Sequence, residues 1–94
     1  MDLQFEWDEV KAVTNLRKHG VSFEEAITAF GDLNTITIFD VKHSEAEDRL
    51  INVGLSASGR LLVVVYTERA PRIRIISCRR ATTAERRQYE RGAI

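Results

Sequence analysis

The sequence predicts an α+β fold in which two N-terminal helices pack on a mostly antiparallel four-stranded sheet, followed by a short C-terminal helix. Three observations predict it. Apolar residues recur with a helical period as far as Phe30 and with a period of two from Thr35 onward. Ser58-Gly59 separates two strand-like runs, which is a hairpin signal. Thr82-Thr83 then opens a helix-forming stretch that ends before Gly92. A chain of 94 residues, 44% apolar, suits a single domain spanning 1–94.

Taken in order, Phe5-Glu6-Trp7 reads as a short extended lead-in, and Asp8 can cap a helix running to about His19. Val10, Val13 and Leu16, with Ala12 beside them, form the stripe expected to be buried, and Gly20 ends the helix. Ser22-Phe23-Glu24-Glu25 spells a capping box, the Ser22 hydroxyl taking the Glu25 amide while the Glu25 carboxylate reaches back. The second helix then runs from Phe23 to about Phe30, burying Phe23, Ile27 and Phe30. Thr35 to Phe39 alternates as a strand with one wet face, and residues 40–48 are polar and loop-like. Arg49 to Ala57 and Arg60 to Glu68 are the hairpin arms; Leu61 to Val65, apolar on both faces, belongs mid-sheet. Arg69-Ala70-Pro71 turns the chain, Arg72 to Arg80 returns as the last strand, and Thr82 or Thr83 caps a helix to about Arg91. Helices on one face leave the other face of the sheet open.

The lone Cys78 has no internal disulfide partner, so a reduced, cytoplasmic setting is expected. The first residues lack the pattern of a secretion signal, and the longest apolar run, Leu61 to Val65, is too short to span a bilayer, so no membrane association is expected.

The formal net charge is zero, yet the two halves differ sharply. Residues 1–47 carry four Lys/Arg against ten Asp/Glu, and residues 48–94 carry ten basic residues against four acidic ones. All ten are arginine, whose planar fork matches phosphate oxygens bidentately. In Arg72-Ile73-Arg74-Ile75, alternation puts both arginines on the face away from the isoleucines. Their guanidiniums then stand about 7 Å apart, on the order of the spacing of adjacent phosphates along a strand. Arg69, Arg79, Arg80 and, on the last helix, Arg86, Arg87 and Arg91 extend the basic character. The competing reading is that the basic half only neutralises the acidic one.

No carboxylate pair, phosphate loop or metal-ligand spacing accompanies these arginines. RNA cleavage needs none, because the 2′-hydroxyl is an internal nucleophile that has only to be aligned, deprotonated and given charge stabilisation. A cleft between sheet and last helix would hold Tyr66, Ser77, Arg79, Arg80 and Tyr89. Arginines around Tyr89 would lower its pKa and make it a base, with packing as the alternative; His19 is a candidate proton donor, with helix capping as the alternative. Asp40, His43, Glu45, Glu47 and Asp48 read as a solvated loop rather than a metal site, Cys78 as an inert strand residue and Trp7 as a core anchor.

Longer stretches then become familiar. Phe5-Glu6-Trp7-Asp8 with Lys11 and Asn15, the segment Lys18 to Ala26, Arg49, Gly59 to Glu68, Arg72 to Thr82 and Glu85 to Glu90 together resemble the BrnT family of toxins from bacterial type II toxin–antitoxin modules. The resemblance runs nearly the whole chain in order, departing at Cys78, where the family usually has alanine. It implies a RelE-like fold and a metal-independent endoribonuclease that needs no cofactor and inhibits translation. It also implies a cognate BrnA-like antitoxin with a DNA-binding domain, in a hetero-oligomer. Residues matching the family pattern are Lys11, His19, Arg49, Tyr66, Arg72, Arg74, Arg79 and Tyr89. The expected catalytic set is Arg79, Tyr89, His19 and Tyr66, with Lys11, Arg49, Arg69, Arg72, Arg74, Arg80 and Arg87 binding RNA. The alternative is a non-catalytic RNA-binding or antitoxin-docking subunit.

Overall fold

The structure, a computed structural model, describes residues 3–40 and 48–92. Its elements are β1 (Gln4–Glu6), α1 (Glu9–His19), α2 (Phe23–Ala29), β2 (Ile36–Asp40), β3 (Arg49–Leu55), β4 (Leu61–Arg69), β5 (Arg72–Arg80) and α3 (Thr83–Arg91). The sheet is five-stranded and mixed, in the order β1-β5-β4-β3-β2, where four antiparallel strands were expected. The extra strand is the lead-in, whose Gln4, Phe5 and Glu6 pair in parallel with Arg72, Ile73 and Arg74. Three residues are too few to show alternation, and a parallel partner so far along the chain leaves no turn signal.

The bounds of α1 follow its caps. The Asp8 carboxylate accepts from the amides of Val10 and Lys11, and Gly20 closes the helix at φ 69°, a conformation a side chain would strain. Its buried face, however, is not the predicted one. Val10, Val13 and Leu16 are 75%, 51% and 51% exposed, whereas Asn15 is buried. β1 covers β5 only at residues 72–74, so beyond that point the outer edge of β5 has no neighbouring strand among the described residues. Asn15 fills this place. Its carboxamide accepts from the Cys78 amide at 3.1 Å and donates to the Cys78 carbonyl at 2.8 Å and the Val21 carbonyl at 3.0 Å. Satisfying those buried backbone groups turns the Ala12–Asn15 side of α1 to the sheet and the valine–leucine stripe to solvent.

The capping box of α2 is half formed. Ser22 Oγ accepts from the Glu25 amide, but the Glu25 carboxylate turns away to Arg60, Ser56 and Ser58. Arg60 also donates to the Gly20 carbonyl, so this carboxylate ties the start of α2 to the β3–β4 turn. α2 buries Phe23, Ala26 and Ala29, while Ile27 and Phe30 are only half-buried. Glycine at position 54 is required by this packing, because a Cβ there would lie 2.8 Å from the Ala29 carbonyl oxygen.

Two apolar clusters sandwich the sheet. On the first face Leu62, Val64, Tyr66, Ile73, Ile75 and Cys78 meet Val21, Phe23, Ala26 and Ala29. On the second, Ile36, Val53, Leu61 and Val63 are joined by Ala81 and Tyr89, so α3 covers part of the face expected to be open. A bulge in β5 fixes which arginines stand there. Val65 pairs with Ser77 but Tyr66 pairs with Ile75, leaving Ile76 as the extra residue. Arg72, Arg74 and Arg79 therefore share the second face, and Arg80, paired with Leu62, turns toward the first.

Candidate nucleic-acid interface

Strand alternation sets Arg49, Arg69, Arg72, Arg74 and Arg79 on the second face of the sheet. Three of them meet at one carboxylate that sequence reasoning passed over. Glu6, carried by β1 beside β5, lies 2.9 Å from Arg74 Nη1, 3.8 Å from Arg72 Nε and 3.8 Å from Arg69 Nη1. The side chains remain accessible, Arg72 at 60% and Arg69 at 49%. Below them Thr67, cross-strand partner of Arg74, is buried, and its hydroxyl has no hydrogen-bond partner among the described residues. No local signal in the sequence marks Glu6 or Thr67, because their neighbours come from β5, almost seventy residues beyond Glu6.

Farther along β5, Arg79 makes a two-pronged pair with Glu85, each N–O distance being 2.8 Å. Glu85 also accepts from the Thr82 amide, and Thr82 Oγ1 accepts from the Glu85 amide, which completes the capping box of α3. The Arg79 guanidinium holds the Glu85 carboxyl down at about 2. Arg79 is thus fixed against the first turn of α3, and the Thr82-x-x-Glu85 spacing was the overlooked signal for it.

The cleft expected to gather Tyr66, Ser77, Arg79, Arg80 and Tyr89 does not form, because the sheet runs through it. Tyr66 is buried on the first face, its ring edge-on to Phe30 at 5.0 Å, and burial raises its pKa. Arg80 is exposed and turns to the same side. Lys11, exposed, and His19, half-buried, belong to α1 in the layer over the first face. Arg87 is exposed on α3, whose inner side is formed by the half-buried Glu85 and Tyr89.

Tyr89 lies on the second face, but its expected acidification is reversed. Its hydroxyl donates to Asp32 Oδ2, and that bond, with burial, pushes its pKa up to about 12. Burial alone would raise Asp32, but bonds from Tyr89 and from the amides of Leu55 and Asn34 outweigh it and leave its pKa lowered. Tyr89 therefore ties α3 to the β2–β3 side of the molecule. Trp7 packs edge-on to Phe23 at 5.9 Å, and Cys78 is buried, its thiol pushed up to about 12 by burial. Residues 41–47 of the acidic loop, with His43, Glu45 and Glu47, lie outside the described residues. No described helix is long and apolar enough to cross a membrane.

Among solved structures, the fold is similar to the crystal structure of the Brucella abortus ribonuclease toxin BrnT, with 25% sequence identity and a TM-score of 0.68. The similarity covers 87% of this chain and 100% of that one. No curated protein matched. A family model described as the ribonuclease toxin BrnT of type II toxin–antitoxin systems matches residues 7–85, and the chain belongs to that family.

Proposed function

We propose that this chain cuts RNA without a metal cofactor, by attack of a 2′-hydroxyl on its own phosphate, and that the cut is made on the second face of the sheet. The observation that carries this reading is the gathering of Arg69, Arg72 and Arg74 at one accessible spot. Guanidiniums arranged this way bind a phosphate in the ground state and offset the extra negative charge of the phosphorane. Ser77 and Arg79 continue the row along β5, so a single strand lying along it meets hydrogen-bond donors in succession. Arg49 extends the basic face onto β3. Lys11, Arg80, His19 and Tyr66 lie toward the first face and Arg87 on the outer side of α3, and none of them is needed for this mechanism. Tyr89 serves as an anchor of α3.

The finer family traits accompany this proposal. We take the fold as RelE-like, the chain as one catalytic domain acting in the cytoplasm to stop translation, and the antitoxin as a BrnA-like protein with a DNA-binding domain. The test is incubation of purified chain with RNA in a chelator, comparing wild type with Arg72→Ala/Arg74→Ala and Arg79→Ala. Wild type is expected to cut and the double variant to lose cutting. Its binding to RNA should weaken, with the slope of log affinity against log salt falling by about 1 to 2. Cutting only when a divalent metal is supplied, or an unchanged double variant, would refute the reading.

A further inference from the structure

Glu6 stands where a surface built only to bind RNA would have no carboxylate. It is surrounded by the guanidiniums a phosphate would use, and its charge repels that phosphate. Its side chain is 28% exposed, so it can be reached from solvent. An oxygen lodged on Arg72 and Arg74 comes within reach of the carboxylate those residues already hold. In RNA the 2′-hydroxyl lies next to the 3′-phosphate on the same ribose. A carboxylate sharing guanidiniums with the phosphate is thereby beside the proton that must leave. Thr67, opposite Arg74 on the same face, is buried, and its hydroxyl is not offered to a bound strand.

We infer that Glu6 is the general base of RNA cleavage, taking the 2′-hydroxyl proton while Arg72 and Arg74 hold the phosphate. This inference rests on the function proposed above. In the step, the 2′-oxygen forms a bond to phosphorus and the bond from phosphorus to the 5′-oxygen breaks. The 2′-proton passes to the Glu6 carboxylate. The departing 5′-oxygen takes a proton from water, and the hydroxide so formed recovers the proton from Glu6. The products are a 2′,3′-cyclic phosphate and a 5′-hydroxyl end.

The experiment measures single-turnover cleavage of a short RNA by wild type, Glu6→Gln, Glu6→Asp and Arg72→Ala/Arg74→Ala. Binding is measured in parallel on the same RNA carrying 2′-O-methyl groups, which cannot react. Glutamine still accepts a bond from Arg74 but is not a base. Glu6→Gln is expected to slow cleavage by about 10²–10⁴-fold, to bind the unreactive RNA as tightly as wild type or tighter, and to melt cooperatively. Glu6→Asp should recover part of the rate, and the acidic limb of the wild-type pH–rate profile should vanish in Glu6→Gln. Glu6→Gln cutting within about three-fold of wild type, while the arginine double variant is inactive, overturns the role of Glu6 and leaves the proposed function standing. RNA left intact by wild type overturns both. Loss of cleavage with an equal loss of binding or of folding, not recovered in Glu6→Asp, makes Glu6 a structural spacer and also overturns the inference.

Discussion

Replacing Asn15 by leucine tests how α1 is held. The two side chains are of similar size, so the exchange keeps the space filled while removing every polar contact. Three bonds go, to the Cys78 amide, the Cys78 carbonyl and the Val21 carbonyl. Each backbone group left buried and unpaired costs about 1–3 kcal/mol, and solvent reaching some of them offsets part of the sum. A loss of about 3–5 kcal/mol is expected for Asn15→Leu. A chain of this size has a total stability on the order of 5–14 kcal/mol, so at least about a fifth of it disappears. The assay is urea unfolding followed by circular dichroism, with the midpoint falling at unchanged slope and the melting temperature dropping by at least ~12 °C. Asn15→Leu within about 1 kcal/mol of wild type would refute the claim that hydrogen bonding to the β5 edge orients α1.

The outward stripe supplies the converse: Leu16→Gln, on a side chain 51% exposed, should change stability by less than about 0.5 kcal/mol in the same titration. Acid should destabilise the protein in part through Glu25, whose carboxyl the Arg60 guanidinium and the Ser58 and Ser56 hydroxyls hold down at about 2 against an ordinary 4.5. Because its folded pKa is depressed, this contribution is fully present above 4.5 and is lost as pH falls toward about 2. After allowance for solvent screening it amounts to about 1–2 kcal/mol. Unfolding at pH 7 and pH 3 should therefore show a smaller acid loss in Glu25→Gln than in wild type. Tyr89→Phe should cost about 1–2 kcal/mol by removing the bond to Asp32. It should also leave the shape of the pH–rate profile for RNA cleavage unchanged up to about pH 10, since the hydroxyl keeps its proton to about 12.

Much of the fold was legible because its signals are local. Asp8, Gly20, Ser22 and Thr82 fix helix ends within a turn of themselves, and the structure ends its helices there. The run Arg72 to Arg80 is a strand over its full predicted length. What escaped was non-local. Periodicity pointed to the valine–leucine stripe of α1, but it carries no information about an unfilled strand edge sixty residues away that an asparagine satisfies better. β1 escaped for the same reason.

The candidate site divides along the same line. Arg72 and Arg74 were assigned to one face by simple alternation, and they lie there. The joining of Tyr66, Arg80 and Tyr89 in one cleft failed because residues near in sequence stand on opposite sides of a one-layer sheet. Glu6 and Thr67 went unnoticed because nothing beside them in the chain sets them apart. Only the pairing of β1 and β4 with β5 brings them to the arginines.

Ile76 gives β5 two independently phased halves. Were the strand regular and anchored at Arg72 and Arg74, the parity of everything after residue 76 would invert. Cys78 would leave the dry interior and Arg79 would be driven into it, against the helices. Absorbing the mismatch in one residue keeps a permanently charged group out of the core, and it lets a row of basic residues with uneven spacing line up on the same side.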